Sequence, residues 1–253
     1  MPGRSATRVF YPFPGEDEME EERVRFYLQE VYRRLYNAYG PQGWWPGDGA
    51  FEVCIGAILT QAASWNNVER AMDNLKMAGV LSPAGLRALP LEELAHLLRP
   101  SGYFTVKARK VKAFVEHLSR YNDDLEAFFG KETTVLREEL LGIYGIGEET
   151  ADDILLYAAG KPVFVVDAYT IRIFQRLGLI GERATYRQVQ SIFMNHLPPD
   201  VPTYNEYHAL LVRLGKEVCR KREPLCGACP LLGLCPSGQR ACCQTTPPGA
   251  QEG

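Results

Sequence analysis

Apolar residues recur at helical spacing along nearly the whole chain. Val24, Tyr27, Leu28, Val31, Leu35 and Tyr39 fall on one face and predict a helix over 20–39. Phe51–Gln61 reads as an apolar helix, and Asn66–Ala78 as a second with Val68, Ala71, Met72 and Leu75 inward. Shorter helices follow near Pro83–Ala88, where Ser82-Pro83 makes a good start, and over Leu91–Leu98. The pattern continues through Val106–Tyr121, Asp124–Phe129, Val135–Leu141, Thr150–Ala159, Ala168–Leu177, Tyr186–His196 and Tyr204–Cys219. No strand alternation is convincing, and Val163–Val166 is too brief to classify. Residues 244–253 (QTTPPGAQEG) have no means of burying themselves, so a disordered tail is expected from 237 on. There is no internal repeat. The expectation is an all-α fold of many short helices joined by short loops.

Composition changes that picture little. The 253 residues are 46% hydrophobic and 23% charged, ordinary for one large or two small globular domains. No apolar run is long enough to span a bilayer, and the first residues lack a signal-peptide core, so a cytoplasmic protein is expected. A net charge of −3 argues weakly against nucleic acid, but residues 16–22 (EDEMEEE) hold six acids and the remainder is +3. Such a run is usually a solvated tail or helix face. Basic side chains cluster at Lys107, Arg109, Lys110 and Lys112, and again at Arg213, Lys216, Arg220, Lys221 and Arg222.

Seven cysteines are present, an odd total that argues against a disulfide framework. Four sit together as Cys219-x6-Cys226-x2-Cys229-x5-Cys235. Four thiolates without a histidine suit a [4Fe–4S] cluster; zinc and reduced structural thiols remain open on spacing alone. Arg220, Lys221 and Arg222 fall in the first inter-cysteine loop, as a rigid phosphate contact or as counter-charge for an anionic cluster. Cys54 reads as a buried small hydrophobe, and Cys242 and Cys243 carry no assignment.

Tyr144-Gly-Ile-Gly-Glu-Glu-Thr-Ala-Asp-Asp153 joins two helices. Its glycines permit a tight turn whose N–H groups, with the dipole of the following helix, could hold a phosphate without reading sequence. The hairpin, Asp167 about twenty residues later, the four cysteines and Leu59-Thr-Gln61 come in an order that resembles the helix–hairpin–helix DNA glycosylase superfamily, endonuclease III in particular. The resemblance runs from about residue 20 to 236, and the cysteine spacing is highly specific to that family's [4Fe–4S] loop. It implies two lobes. One is a helical barrel over 50–160 with its hairpin at 141–151. The other is a discontinuous cluster domain of 20–49 with 161–236, flanked by a flexible acidic segment over 1–19. It also implies a nucleoid-associated monomer acting on double-stranded DNA that contains a damaged base, with Cys219, Cys226, Cys229 and Cys235 as metal ligands.

Further roles come with the resemblance. Asp167, in Val165-Val-Asp-Ala-Tyr169, matches the catalytic aspartate, although local logic alone makes it a helix N-cap. Bifunctional members carry a lysine where this chain has Glu149, and a carboxylate cannot form the imine that leads to strand cleavage. The expected enzyme is therefore monofunctional, with Glu149 either at the reaction or only complementing its helix dipole. Gly145, Ile146 and Gly147 would hold the DNA phosphate. Gln61 matches the residue that fills the vacated stack and Tyr103 the opposing wedge. Lys107 and Lys110 form a solvated basic face or a phosphate anchor.

A narrower likeness concerns the base. Gly43-Trp-Trp-Pro46, Phe51-Glu52, Gly56-Ala-Ile-Leu-Thr-Gln61, Arg99-Pro-Ser-Gly-Tyr103 and the hairpin are similar to the bacterial 3-methyladenine branch of the superfamily. There Trp44, Trp45, Pro46 and Trp65 would shape the pocket, although core packing is the commoner use of tryptophan. Indole faces attract a cationic methylated purine. Its glycosidic bond is already activated, so one carboxylate suffices. The expectation is excision of 3-methyladenine and 7-methylguanine. The alternatives are a uracil, thymine-mismatch or oxidised-base glycosylase of the same fold, or a non-catalytic lesion-binding protein.

Overall fold

The computed structural model describes residues 17–244, which are helical with no strand among them. The chain divides into two compact units. One is continuous, Trp45–Val163; the other unites the stretch up to Trp44 with the stretch from Phe164 on. The cuts fall at 44/45 and 163/164, against the 49/50 and 160/161 expected from sequence.

Helix α1 (Asp17–Tyr39) opens the discontinuous unit. It starts inside the acidic run, so the expected flexible segment is helical from Asp17, and the rest of that segment lies outside the described residues. The continuous unit then runs through α2 (Ala50–Leu59), α3 (Trp65–Met77), α4 (Pro83–Ala88), α5 (Leu91–Leu97), α6 (Phe104–Leu118), α7 (Leu125–Phe129), α8 (Thr133–Leu141) and α9 (Glu148–Asp153). A π-helical turn, Ile154–Ala158, prolongs α9. The chain returns to the discontinuous unit with α10 (Ala168–Leu177), α11 (Tyr186–His196), α12 (Val201–Glu217) and α13 (Pro236–Gln244).

In the continuous unit α2 is apolar all round and buried from Val53 to Leu59, past its one acid, Glu52, in the first turn, as befits a central helix. Leu75, Leu94, Val111, Phe114, Phe128, Leu140 and Ile154 close over it in one core. Local signals set the ends: Ser82 accepts from the Gly85 N–H ahead of Pro83, and Asp124 caps α7 through the N–H groups of Glu126 and Ala127.

In the discontinuous unit the stripe Val24, Leu28, Val31 and Leu35 of α1 is buried, and the Tyr207 hydroxyl of α12 donates to the Leu28 carbonyl at 2.8 Å. Phe164 stacks on Phe193 with centroids 3.8 Å apart, and Tyr204 and Tyr207 meet it edge-on. The Val163–Val166 stretch is a buried extended connector rather than a strand. The tail expected from 237 is corrected over 237–244, which are helical. There α13 docks on the cysteine loop, with the Gly238 N–H on Cys235 Sγ and the Gln239 amide on the Leu232 and Gly233 carbonyls. Residues 245–253 lie outside the described part.

Candidate active site

The turn between α8 and α9 is anchored by its apolar members. Ile143 and Ile146 are buried, while Tyr144 is 60% exposed. Gly145 takes φ +84°, and a Cβ there would fall 2.3 Å from Lys110 Cγ, so conformation and space both require glycine. The N–H groups of Tyr144, Gly145 and Gly147 meet no acceptor among the described residues. Gln61, at the end of α2, clasps the turn from behind. Its Nε2 donates to the Gly145 carbonyl at 3.0 Å and to Thr150 Oγ1 at 2.8 Å, and the Lys110 ammonium donates to its Oε1. Backbone donors thus stand at the positive end of α9 in a fixed frame.

The acids that follow the turn divide by burial. Asp152 is fully buried and takes a two-pronged bond from Arg137, 2.7 Å to Oδ1 and 3.0 Å to Oδ2; Arg137 also lies 3.8 Å from Glu148. Asp153 is buried as well. Glu149 is exposed on the first turn of α9.

Two residues expected on the DNA-facing surface part company. Tyr103 is 73% exposed at φ +44°, a strained conformation for a bulky residue, held between Gly102 and the start of α6. Lys107 overturns its expected place on a solvated or phosphate-binding face. It is 2% exposed, and its ammonium donates to the carbonyls of Leu59 at 2.8 Å and Ser101 at 2.6 Å. Burial, with the charge of Lys110 second, pushes its pKa down to about 8. It seals the unsatisfied carbonyl ends of α2 and of the Arg99–Ser101 turn and cannot reach a phosphate.

Trp45, Pro46 and Trp65 line a cavity of about 220 Å³ in the continuous unit. The indoles of Trp45 and Trp65 meet edge-to-face at 5.4 Å, Tyr157 braces Trp45 at 5.2 Å, and Gly56 lets the Trp45 ring lie against α2. Asp48, Glu52, Glu69 and Asp73 also line it, against one cation, Lys76, which pairs with Glu52 at 2.6 Å and Asp48 at 3.2 Å. Trp44 belongs to the other unit, where the Lys216 ammonium stands 5.8 Å over its ring.

In the discontinuous unit Asp167 caps α10. Its Oδ1 accepts from the Thr170 N–H at 2.7 Å and the Thr170 hydroxyl at 2.8 Å, and His208 Nε2 of α12 stands 3.8 Å from Oδ2. Burial works against its charge, but His208 and the two Thr170 donors outweigh it and hold the carboxyl below its ordinary range. Asp167 is thus a buried carboxylate kept anionic, both a cap and a charge in reserve.

Cys219, Cys226, Cys229 and Cys235 line one cavity of about 80 Å³, with Arg176 beside them. The Arg176 guanidinium donates to Cys219 Sγ at 3.1 Å and to the Arg220 carbonyl at 2.8 Å; Arg172 donates to the Cys219 and Gly215 carbonyls. Burial first, then the neighbouring thiols, pushes the Cys229 pKa up to about 11. Among the described residues no three His, Cys, Asp or Glu side chains converge tightly enough for one metal ion. Four convergent soft ligands with donors on their sulfurs fit a polynuclear cluster, whose ligands stand wider apart than those of a single zinc. Arg220, Lys221 and Arg222 are exposed on this loop.

Sequence spacing did not foresee Thr170, His208, Arg137, Arg176 or Tyr157. Only Thr170 carried a local signal, the Asp-x-x-Thr spacing of a cap.

Residues 55–199 match the family described as HhH-GPD superfamily base excision DNA repair protein. A protein of Methanocaldococcus jannaschii, provisionally named a DNA repair glycosylase, is 45% identical over 219 residues, 86% of this chain and 99% of its own. A non-covalent endonuclease III–DNA complex superposes with a TM-score of 0.74 at 25% identity, covering 88% of this chain and 98% of that one. The 3-methyladenine DNA glycosylase of H. pylori bound to 1,N6-ethenoadenine gives a TM-score of 0.67 at 27% identity, covering 77% and 97%.

Proposed function

Since this chain belongs to the HhH-GPD superfamily of base excision DNA repair proteins, we propose that it is a monofunctional DNA glycosylase that removes cationic alkylated purines and leaves the strand intact. The observation that carries the substrate class is the cavity of Trp45 and Trp65, with aromatic walls and four carboxylates against one ammonium. A cationic base gains from indole faces about 0.5–2 kcal/mol per contact, and from nearby carboxylates in addition. The likeness to a 3-methyladenine glycosylase supports the same reading.

DNA is held by the open N–H groups of Tyr144, Gly145 and Gly147, not by Ile146, whose N–H donates to the Ile143 carbonyl at 3.1 Å, and by Arg220, Lys221 and Arg222, contacts that position without reading sequence. Tyr103 wedges the duplex, Gln61 lies beside the turn to fill the gap, and the base flips out at a cost of a few kcal/mol. Asp167 stabilises the oxocarbenium-like sugar through Oδ2, the oxygen that Thr170 leaves open, and orients the attacking water. Glu149 offers no amine, so no imine forms and the strand is not cut. Cys219, Cys226, Cys229 and Cys235 would hold a [4Fe–4S] cluster, which cross-links the loop that presents the three bases and adds one-electron chemistry.

The test is incubation with duplexes bearing 3-methyladenine, 7-methylguanine, uracil, a thymine–guanine mismatch or 8-oxoguanine, each followed by alkali. Release of the methylated purines, abolished by Asp167→Asn, is expected. Release only from the deaminated or oxidised duplexes overturns the substrate class, and a borohydride-trapped adduct with abasic DNA overturns the monofunctional reading.

A further inference from the structure

His208 is 4% exposed in the middle of α12, and its Nε2 faces the one oxygen of Asp167 that Thr170 does not occupy. We infer that His208 is a positioning residue for base excision: from α12 it turns Oδ2 toward the sugar and keeps that oxygen ionised while positive charge develops at C1′. The inference rests on the assignment of Asp167 as the carboxylate that acts on the sugar.

Each end of the carboxylate has a separate keeper. Oδ1 is saturated by two donors from the first turn of α10 and is committed to capping. Oδ2 has no such duty and must remain free to meet substrate. A neighbour at 3.8 Å suits that need. It is too distant to consume the lone pairs as a full hydrogen bond does, yet near enough for its N–H dipole or charge to act through a dry interior. The groups acting on the carboxylate are Thr170 from its own helix and His208 from α12. Tyr169 feels the charge of Asp167 in turn, and Arg172 stands 5.0 Å over the Tyr169 ring. The backbone keeps α12 close: a Cβ at Gly215 would fall 2.4 Å from the Tyr169 ring, so glycine there lets the two helices approach.

The substitutions are His208→Leu, which fills the space without a donor, and His208→Gln, which restores an N–H. Single-turnover base release is followed across the acid range, on whichever lesion the wild type excises, alongside affinity for the same duplex. For His208→Leu the expected result is a loss of about tenfold in the chemical step with affinity unchanged. Its acid limb should move up by about one pH unit, because burial of Asp167 is then opposed only by Thr170. His208→Gln is expected to recover most of the rate. An unmoved acid limb, or equal losses in both variants, overturns the inference. If the wild type excises nothing, the proposed function fails and the positioning role falls with it; the electrostatic half of the inference, that His208 keeps Asp167 ionised, is then read from stability, acid lowering the melting temperature of His208→Leu at a higher pH than wild type if it holds and at the same pH if it does not. The same curve serves if either variant folds too poorly for kinetics.

Discussion

Replacing Gly145 by alanine separates what the turn needs in order to fold from what it needs in order to bind. At φ +84° an L-residue costs about 1–2 kcal/mol. The new methyl group would also fall 2.3 Å from Lys110 Cγ and push that stem aside. The Lys110 ammonium then leaves Gln61 Oε1, forfeiting about 1 kcal/mol. Alanine returns about 0.4–1 kcal/mol by restricting the unfolded chain. The net loss is about 1–2.5 kcal/mol, or roughly 2–10 °C in melting temperature for a chain of this size. Gly147 is the control. It sits at φ −97°, ψ −178°, ordinary extended backbone, with nothing within 4 Å of an added Cβ. Gly147→Ala should melt at or slightly above wild type, while its methyl group obstructs a phosphate approaching α9. Thermal melts followed by circular dichroism give the first quantity, and fluorescence anisotropy with an abasic-site duplex gives the second. Equal melting temperatures for the two variants would refute the backbone argument, and undiminished affinity in Gly147→Ala would refute the phosphate cradle.

Three further outcomes follow from the charged side chains. Arg137→Leu leaves Asp152 buried without its two-pronged partner and should cost about 3–5 kcal/mol in a denaturant melt, whereas a loss below 1 kcal/mol would mean that the pair is not desolvated. Lys107→Met should leave the salt dependence of DNA binding unchanged, while Lys221→Ala and Arg222→Ala should each lower its slope by about one. The folded pKa of Lys107 is depressed, so the unfolded chain binds more protons between about 8 and 10.5. The stability of wild type relative to Lys107→Met therefore rises with pH across that window, and a flat difference would contradict the burial of its ammonium.

Much of the helix inventory was legible because amphipathic periodicity and caps are local properties. Ser82-Pro83 and Asp124 start helices by the chemistry their types suggest. The π turn after Asp153 was not legible, since one extra residue per turn leaves no mark on so short a segment. Helix α13 read as a tail because its polar residues earn their order from the cysteine loop. Asp167 was legible as a cap, but His208 was not: nothing near position 208 signals a partner on another helix. Lys107 misled for a related reason. A lysine among lysines reads as surface, and only the folded chain brings two orphaned carbonyls to it.

The continuity of one unit and the division of the other set an order of events during synthesis. Trp45–Val163 can close its core as soon as it leaves the ribosome, before Cys219 or any of the three cysteines that follow it in the loop has been translated. Helix α1 emerges earlier still, yet the partners of its apolar stripe, α11 and α12, follow only after the whole continuous unit. Until then the stripe of Val24, Leu28, Val31 and Leu35 lacks the surface that buries it. Any group held by Cys219, Cys226, Cys229 and Cys235 can be inserted only after the continuous unit has been made, so cells unable to supply it should accumulate a nascent protein with one finished half and one waiting.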